Sequence, residues 1–165
     1  MLKTAEEICK LAPEECAITA GDTHGCLYYI AIVTNDTQAA LAHCRAKIDI
    51  FEKLDSRGWR LAQAHSEMAE SLNAAGMYEE AIAEADVAIA MYANCEEPEY
   101  ADWAQMNKGR ALGSLGRYDE AADVLEKYLM YREQEFGVMD TESHKFVLLS
   151  ALTVARLISP ELTTF

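Results

Sequence analysis

Two short phrases recur in this chain with the same grammar: Gly76-Met77-Tyr78-Glu79-Glu80-Ala81 and Gly116-Arg117-Tyr118-Asp119-Glu120-Ala121, 40 positions apart. An amphipathic helical pattern flanks each of them on both sides. Self-similarity at a period of about 20 to 50 residues marks stacked helical hairpins, which bury their apolar faces only against neighbours. The repeat constrains the chain to an all-α, right-handed α-solenoid of about seven or eight helices. It does not say what the solenoid binds.

The second repeat, about 60–94, is the clearest. Leu61, Ala64, His65, Met68, Ala69 and Leu72 recur at helical spacing, which predicts a first helix from about Arg60 to Ala75. Gly76 ends it, because a residue free to take positive φ lets the last carbonyls be satisfied. A second helix follows from about Tyr78 to Asn94, with Ala81, Ile82, Ala85, Ala88, Ile89 and Tyr92 inward. The third repeat, about 100–136, copies this, with Ala121, Leu125, Tyr128 and Leu129 inward.

The first repeat, about 17–54, is more degenerate. Asn35 stands where the turn glycine would be, and asparagine tolerates the left-handed conformation better than most residues. Its helices are expected over about Ala17–Thr34 and Thr37–Leu54. Gly21 and Gly25 weaken the first of these, and Pro13 is expected to open a short turn before it.

Leu2 to Leu11 resembles the second helix of an earlier repeat. A terminal half-repeat is expected over about 141–159, capped by Asp140-Thr141. Its apolar residues nearly encircle it, unlike the polar outer face of a capping helix. The expectation is a fragment of a longer array, or self-association through this helix.

Composition narrows the class. No apolar run in the 165 residues approaches the roughly 18 needed to cross a bilayer. The five cysteines, Cys9, Cys16, Cys26, Cys44 and Cys95, show no paired short spacing. They read as small buried residues of a reducing, cytoplasmic setting. Net charge is −14, and Leu61 to Asn107 contains no Lys or Arg. An acidic belt of this kind repels phosphate, so nucleic acid and anionic membranes are poor partners. A basic peptide or protein surface suits it better, although acidity also serves solubility alone.

These residues resemble the tetratricopeptide repeat family. The marks are the turn phrase, a small residue inside the first helix (Ala69, Gly109) and an alanine at the helix crossing (Ala81, Ala121). The long period, with Arg132-Glu133-Gln134-Glu135-Phe136-Gly137 before Asp140-Thr141, is similar to the kinesin-light-chain-like subclass. Lys108 stands where that pattern has an apolar residue, and Tyr28 where it has a small one. The resemblance implies a concave wall made by one face of each first helix. That wall would hold Cys26 and Tyr29 in the first repeat, and Gln63, Ser66, Glu67, Glu70 and Asn73 in the second. In the third it would hold Trp103, Met106, Asn107, Arg110 and Ser114.

Carboxylates, amides, one arginine and aromatics in a groove suit an extended or helical peptide. The alternative for each residue is a plain solvated helix face, and for Trp103 packing beneath the Glu96–Tyr100 loop. Some family members grip a carboxylate terminus with Lys and Asn side chains. Arg110 is the only cation on this wall, so that clamp is not expected.

Four ligand types, His24, Cys26, His43 and Cys44, fall on adjacent antiparallel helices. They lack the paired spacing of a zinc site, and Cys44 belongs to the apolar stripe, so no metal or cofactor is expected. His24 and Cys26, at i and i+2, point apart on a helix and make no nucleophile–base pair. The sequence therefore predicts a non-catalytic interaction module that binds a peptide or protein segment. A scaffold or sensor segment of a larger multidomain signalling protein is the second reading. An enzyme with its site in the groove is a remote third.

Overall fold

The computed structural model describes residues 10–54, 58–95 and 101–126. Five helices run in order: α1 (Pro13–Val33), α2 (Thr37–Lys53), α3 (Trp59–Ala74), α4 (Tyr78–Tyr92) and α5 (Ala101–Ser114). A sixth, α6, is described over 118–126. Among the described residues there is no strand. The principal contacts join each helix to the next, and α3 also touches α1 and α5. That is a stack in which every hairpin leans on its neighbour, hence an α-solenoid rather than a bundle closed around one centre. No described helix is long and apolar enough to cross a membrane. The helix expected over Leu2–Leu11, apart from helical Lys10 and Leu11, the half-repeat expected over 141–159 and the remainder of α6 lie outside the described residues.

The three hairpin turns share one solution. Asn35, Gly76 and Gly116 have φ of 58°, 76° and 76°. In each turn the amide after this residue reaches back to the helix. Asp36 N–H donates to Ala31 O at 2.8 Å, Met77 to Leu72 at 2.9 Å and Arg117 to Leu112 at 2.9 Å. The left-handed residue itself donates to Ile32, Asn73 and Gly113 in turn, each at 3.1 Å. This pair of bonds closes the orphan carbonyls of a helix end. The degenerate first repeat thus turns like the other two. Its asparagine is helped by Asp36, whose carboxylate accepts from Ala39 N–H at 3.0 Å and caps α2.

Small residues set how closely the helices approach. Ala69, Ala81, Ala85 and Ala88 are completely buried. A Cβ on Gly109 would come within 2.8 Å of Leu125, so α6 sits against α5 only because that atom is missing. Gly21 plays the same part in the first hairpin, where a Cβ would lie 2.5 Å from the ring of fully buried Phe51. The glycines of α1 are therefore packing positions, and the helix is longer than the sequence reading implied. Pro13 opens α1 itself, since its fixed φ suits the first helical position. The cysteines are also less uniform than expected: Cys44 is buried, Cys95 intermediate, Cys26 exposed, and Cys16 is disulfide-bonded.

Candidate functional site

The face shared by α1, α3 and α5 is where the expected wall residues fall, and the structure divides them into two groups. Tyr29, Trp103 and Arg110 are exposed, Tyr29 at 55% and Trp103 at 44%. Gln63, Glu70 and Met106 are half-buried, while Cys26 and Ser114 are exposed. Glu67, Asn73, Asn107 and Ser66 are buried, with 2%, 8%, 1% and 1% exposure. The expectation that these four lie open in a groove is corrected. They form a polar seam between stacked hairpins, because the first helix of a repeat faces its neighbours as well as solvent.

Lys47 organises the first part of the seam. Its ammonium donates to both oxygens of Glu67 at 2.9 Å and to Gln63 Oε1 at 3.4 Å. Burial pushes the Glu67 carboxyl above the usual carboxylate range, with Lys47 pulling against it. Beside it, the Tyr28 hydroxyl donates to Glu70. Burial first, and then this bond and the Glu70 charge, push the Tyr28 phenol up. Cys44 Sγ lies 3.7 Å from Ser71 Oγ, and burial raises its thiol to about 12. Tyr29 is raised by partial burial and then by the Glu67 and Glu70 charges.

The second part of the seam is neutral. Asn73 Nδ2 donates to the Asn107 carbonyl at 2.9 Å, and Asn107 Nδ2 to the Ser66 carbonyl at 3.5 Å. Asn73 Oδ1 is buried with no hydrogen-bond partner. A cleft of about 180 Å³ opens here between the C-terminal ends of α1 and α3 and the middle of α5. Ala31, Ile32, Glu70, Asn73 and Arg110 line it. It can hold a short apolar side chain with polar groups at its rim.

Lys47 and Tyr28 were missed as participants. The signal for Lys47 was present: it occupies the third place in the buried stripe Ala40, Cys44, Lys47, Phe51 of α2. A lone lysine in an apolar stripe calls for a buried acid opposite. The acidic belt is also less free than its sequence suggested. Glu84 pairs with His65 at 2.6 Å, Asp86 with Lys108 at 2.6 Å and Glu79 with Arg117 at 3.4 Å. Apart from His65, these partners come from the next hairpin. Lys108, out of place for the family pattern, has this pairing as its use.

His24 and His43 meet across the first hairpin, with Nδ1 atoms 3.1 Å apart. Cys26 and Cys44 do not join them. No group of three or more His, Cys, Asp or Glu that could hold a metal occurs among the described residues.

The fold and wall define a helical-hairpin repeat of the kind that stacks in series. Residues 62–86 and 103–127 match the tetratricopeptide repeat family model. Each matched stretch covers most of one first helix, its glycine turn and the start of the second helix, so the match falls on hairpins two and three. No curated protein matches the chain.

Proposed function

We propose that the chain is a non-catalytic interaction module whose α1–α3–α5 face forms the concave wall of a peptide-binding groove. The observation that carries this is the placement of Tyr29, Trp103 and Arg110, exposed on the equivalent first helices of hairpins one and three. Rigid aromatics of this kind anchor a bound segment at low entropic cost, while half-buried Gln63 and Glu70 hold its backbone or polar groups. Glu67, Asn73 and Asn107 act from beneath, keeping the three helices in register. In this reading the ligand is a protein or peptide, not nucleic acid or membrane.

A preference for basic ligands rests on the overall charge of −14. Locally it is weak, since Glu67 is neutralised by Lys47. Charge then quickens encounter over the screening length of about 8 Å at physiological salt, and contributes little after docking.

The test is selection from a displayed library of extended peptides, followed by fluorescence anisotropy across ionic strength. Retained peptides lose at least tenfold in affinity on a Trp103→Ala/Arg110→Glu variant, and basic ones associate more slowly as salt rises. Peptides held equally well by that variant place the groove elsewhere. A library that yields nothing rejects the module.

The second reading, a scaffold segment that self-associates or continues the stack, has its own support. Leu27, Ile30 and Val33 on α1 are 37%, 59% and 85% exposed, an apolar stripe that a further hairpin would cover. Sedimentation velocity over a hundredfold range of concentration tests the self-associating form of this reading, because a purely monomeric chain excludes it.

A further inference from the structure

We propose that His24 of α1 and His43 of α2 form a two-imidazole binding site for a divalent transition-metal ion, zinc or nickel, bridging the first hairpin. The two Nδ1 atoms stand 3.1 Å apart, with ring centroids at 5.4 Å and planes at 41°. At that separation one ring must donate and the other accept, so a single proton lies between two nitrogen lone pairs that converge. A metal ion in place of that proton engages both. Metal–nitrogen bonds of about 2.0–2.1 Å at a tetrahedral angle set the two nitrogens about 3.3–3.4 Å apart. The resting pair needs to open by only a few tenths of an ångström.

The surroundings admit an ion. Both histidines are half-buried, so an aquo-ion can reach them while their helices hold them in place. They sit on regular α1 and α2, and Gly25, next to His24, is buried where the two helices meet. A Cβ there would lie 3.1 Å from Lys47 Nζ. Lys47, one turn beyond His43 along α2, has its charge directed into Glu67 at 2.9 Å, which leaves less repulsion for an incoming ion. No third His, Cys, Asp or Glu completes the set among the described residues. Water therefore fills the remaining positions, and the ion exchanges freely, unlike the closed four-ligand sites that build folds. An occupied site clips α1 to α2 at mid-hairpin.

The experiment is isothermal titration of the full chain with zinc chloride and nickel chloride, paired with thermal melting in each metal. Wild type binds one ion and melts higher with metal than without. His24→Gln and His43→Gln, which keep a polar side chain but cannot chelate, each weaken binding at least tenfold and abolish the metal-dependent rise in Tm. Cys26→Ser leaves both unchanged. Heats absent from wild type, or unaltered in both glutamine variants, overturn the site. Loss of binding in Cys26→Ser also overturns it, by assigning the ion to the exposed thiol.

Discussion

Hairpin one docks on hairpin two through charge, whereas hairpin two docks on hairpin three through amides. At the first seam Lys47 and Glu67 are 3% and 2% exposed and face each other at 2.9 Å. At the second, Asn73 and Asn107 bond to backbone carbonyls, and the ion pairs Asp86–Lys108 and Glu79–Arg117 lie at the surface. Buried charges hold little net stability but are costly to separate, while neutral amides fail gently. The first seam should therefore be the all-or-none joint of the molecule, and the second a graded one.

The strongest way to break that contrast is Lys47→Met, which strands a buried carboxylate. It should cost about 3–5 kcal/mol in urea unfolding, with Lys47→Met/Glu67→Met recovering most of it. A double variant as unstable as the single one would mean that the pair is not the joint. The loss should also depend on pH. Burial raises the folded carboxyl of Glu67, so the folded state holds its proton more tightly than the unfolded chain. The stability from that proton is complete below the unfolded value of about 4.3 and is lost as pH rises through the folded one. Lys47→Met should accordingly be most damaging near pH 7 and milder toward pH 5.

At the second seam Asn73→Ala should cost only about 1 kcal/mol. A loss as large as that of Lys47→Met would erase the distinction. Between these two, Gly109→Ala forces a Cβ into Leu125 at 2.8 Å and should cost about 1–3 kcal/mol. Gly113→Ala, with nothing within 4 Å of its added carbon, should be neutral or stabilising.

The smallest effect is at the rim. Arg117→Ala should leave the melting midpoint unchanged in 0.5 M salt, since Arg117 pairs at the surface with the exposed carboxylates Glu79 and Glu120. A thiol probe then watches the first seam directly. Cys44 is buried, faces Ser71 and has its thiol raised to about 12, so it should resist alkylation at pH 8 while exposed Cys26 reacts. In Lys47→Met, Cys44 should become reactive. Protection unchanged in that variant would show that the seam opens elsewhere.

Much of this was legible from residues in order. Period, glycine turns and apolar spacing gave α3 and α4 to within about two residues, and Asn35 was readable as a turn residue from its tolerance of positive φ. What misled was treating each helix as having one buried face and one open face. Trp103 and Arg110 are exposed as that description requires, while Gln63 and Glu70 are half-buried and bonded to Lys47 and Tyr28. Glu67, Asn73 and Asn107 do not fit it, because in a serial stack a polar residue can point into the next hairpin and still find a partner there. Gly21 and Gly25 were read as weaknesses by propensity alone, although Phe51 and Lys47 occupy the space that they leave.

The sequence by itself determined the helices, their turns and the serial order of the hairpins, because these depend on local dihedral preference and on periodicity along one segment. Only the tertiary structure decided which polar groups are buried and which acid meets which base. Lys47 and Glu67 are 20 residues apart in the chain, and their pairing follows from the angle and distance at which two hairpins dock. That docking is set jointly by every small residue at the crossing, so no single stretch of sequence encodes it.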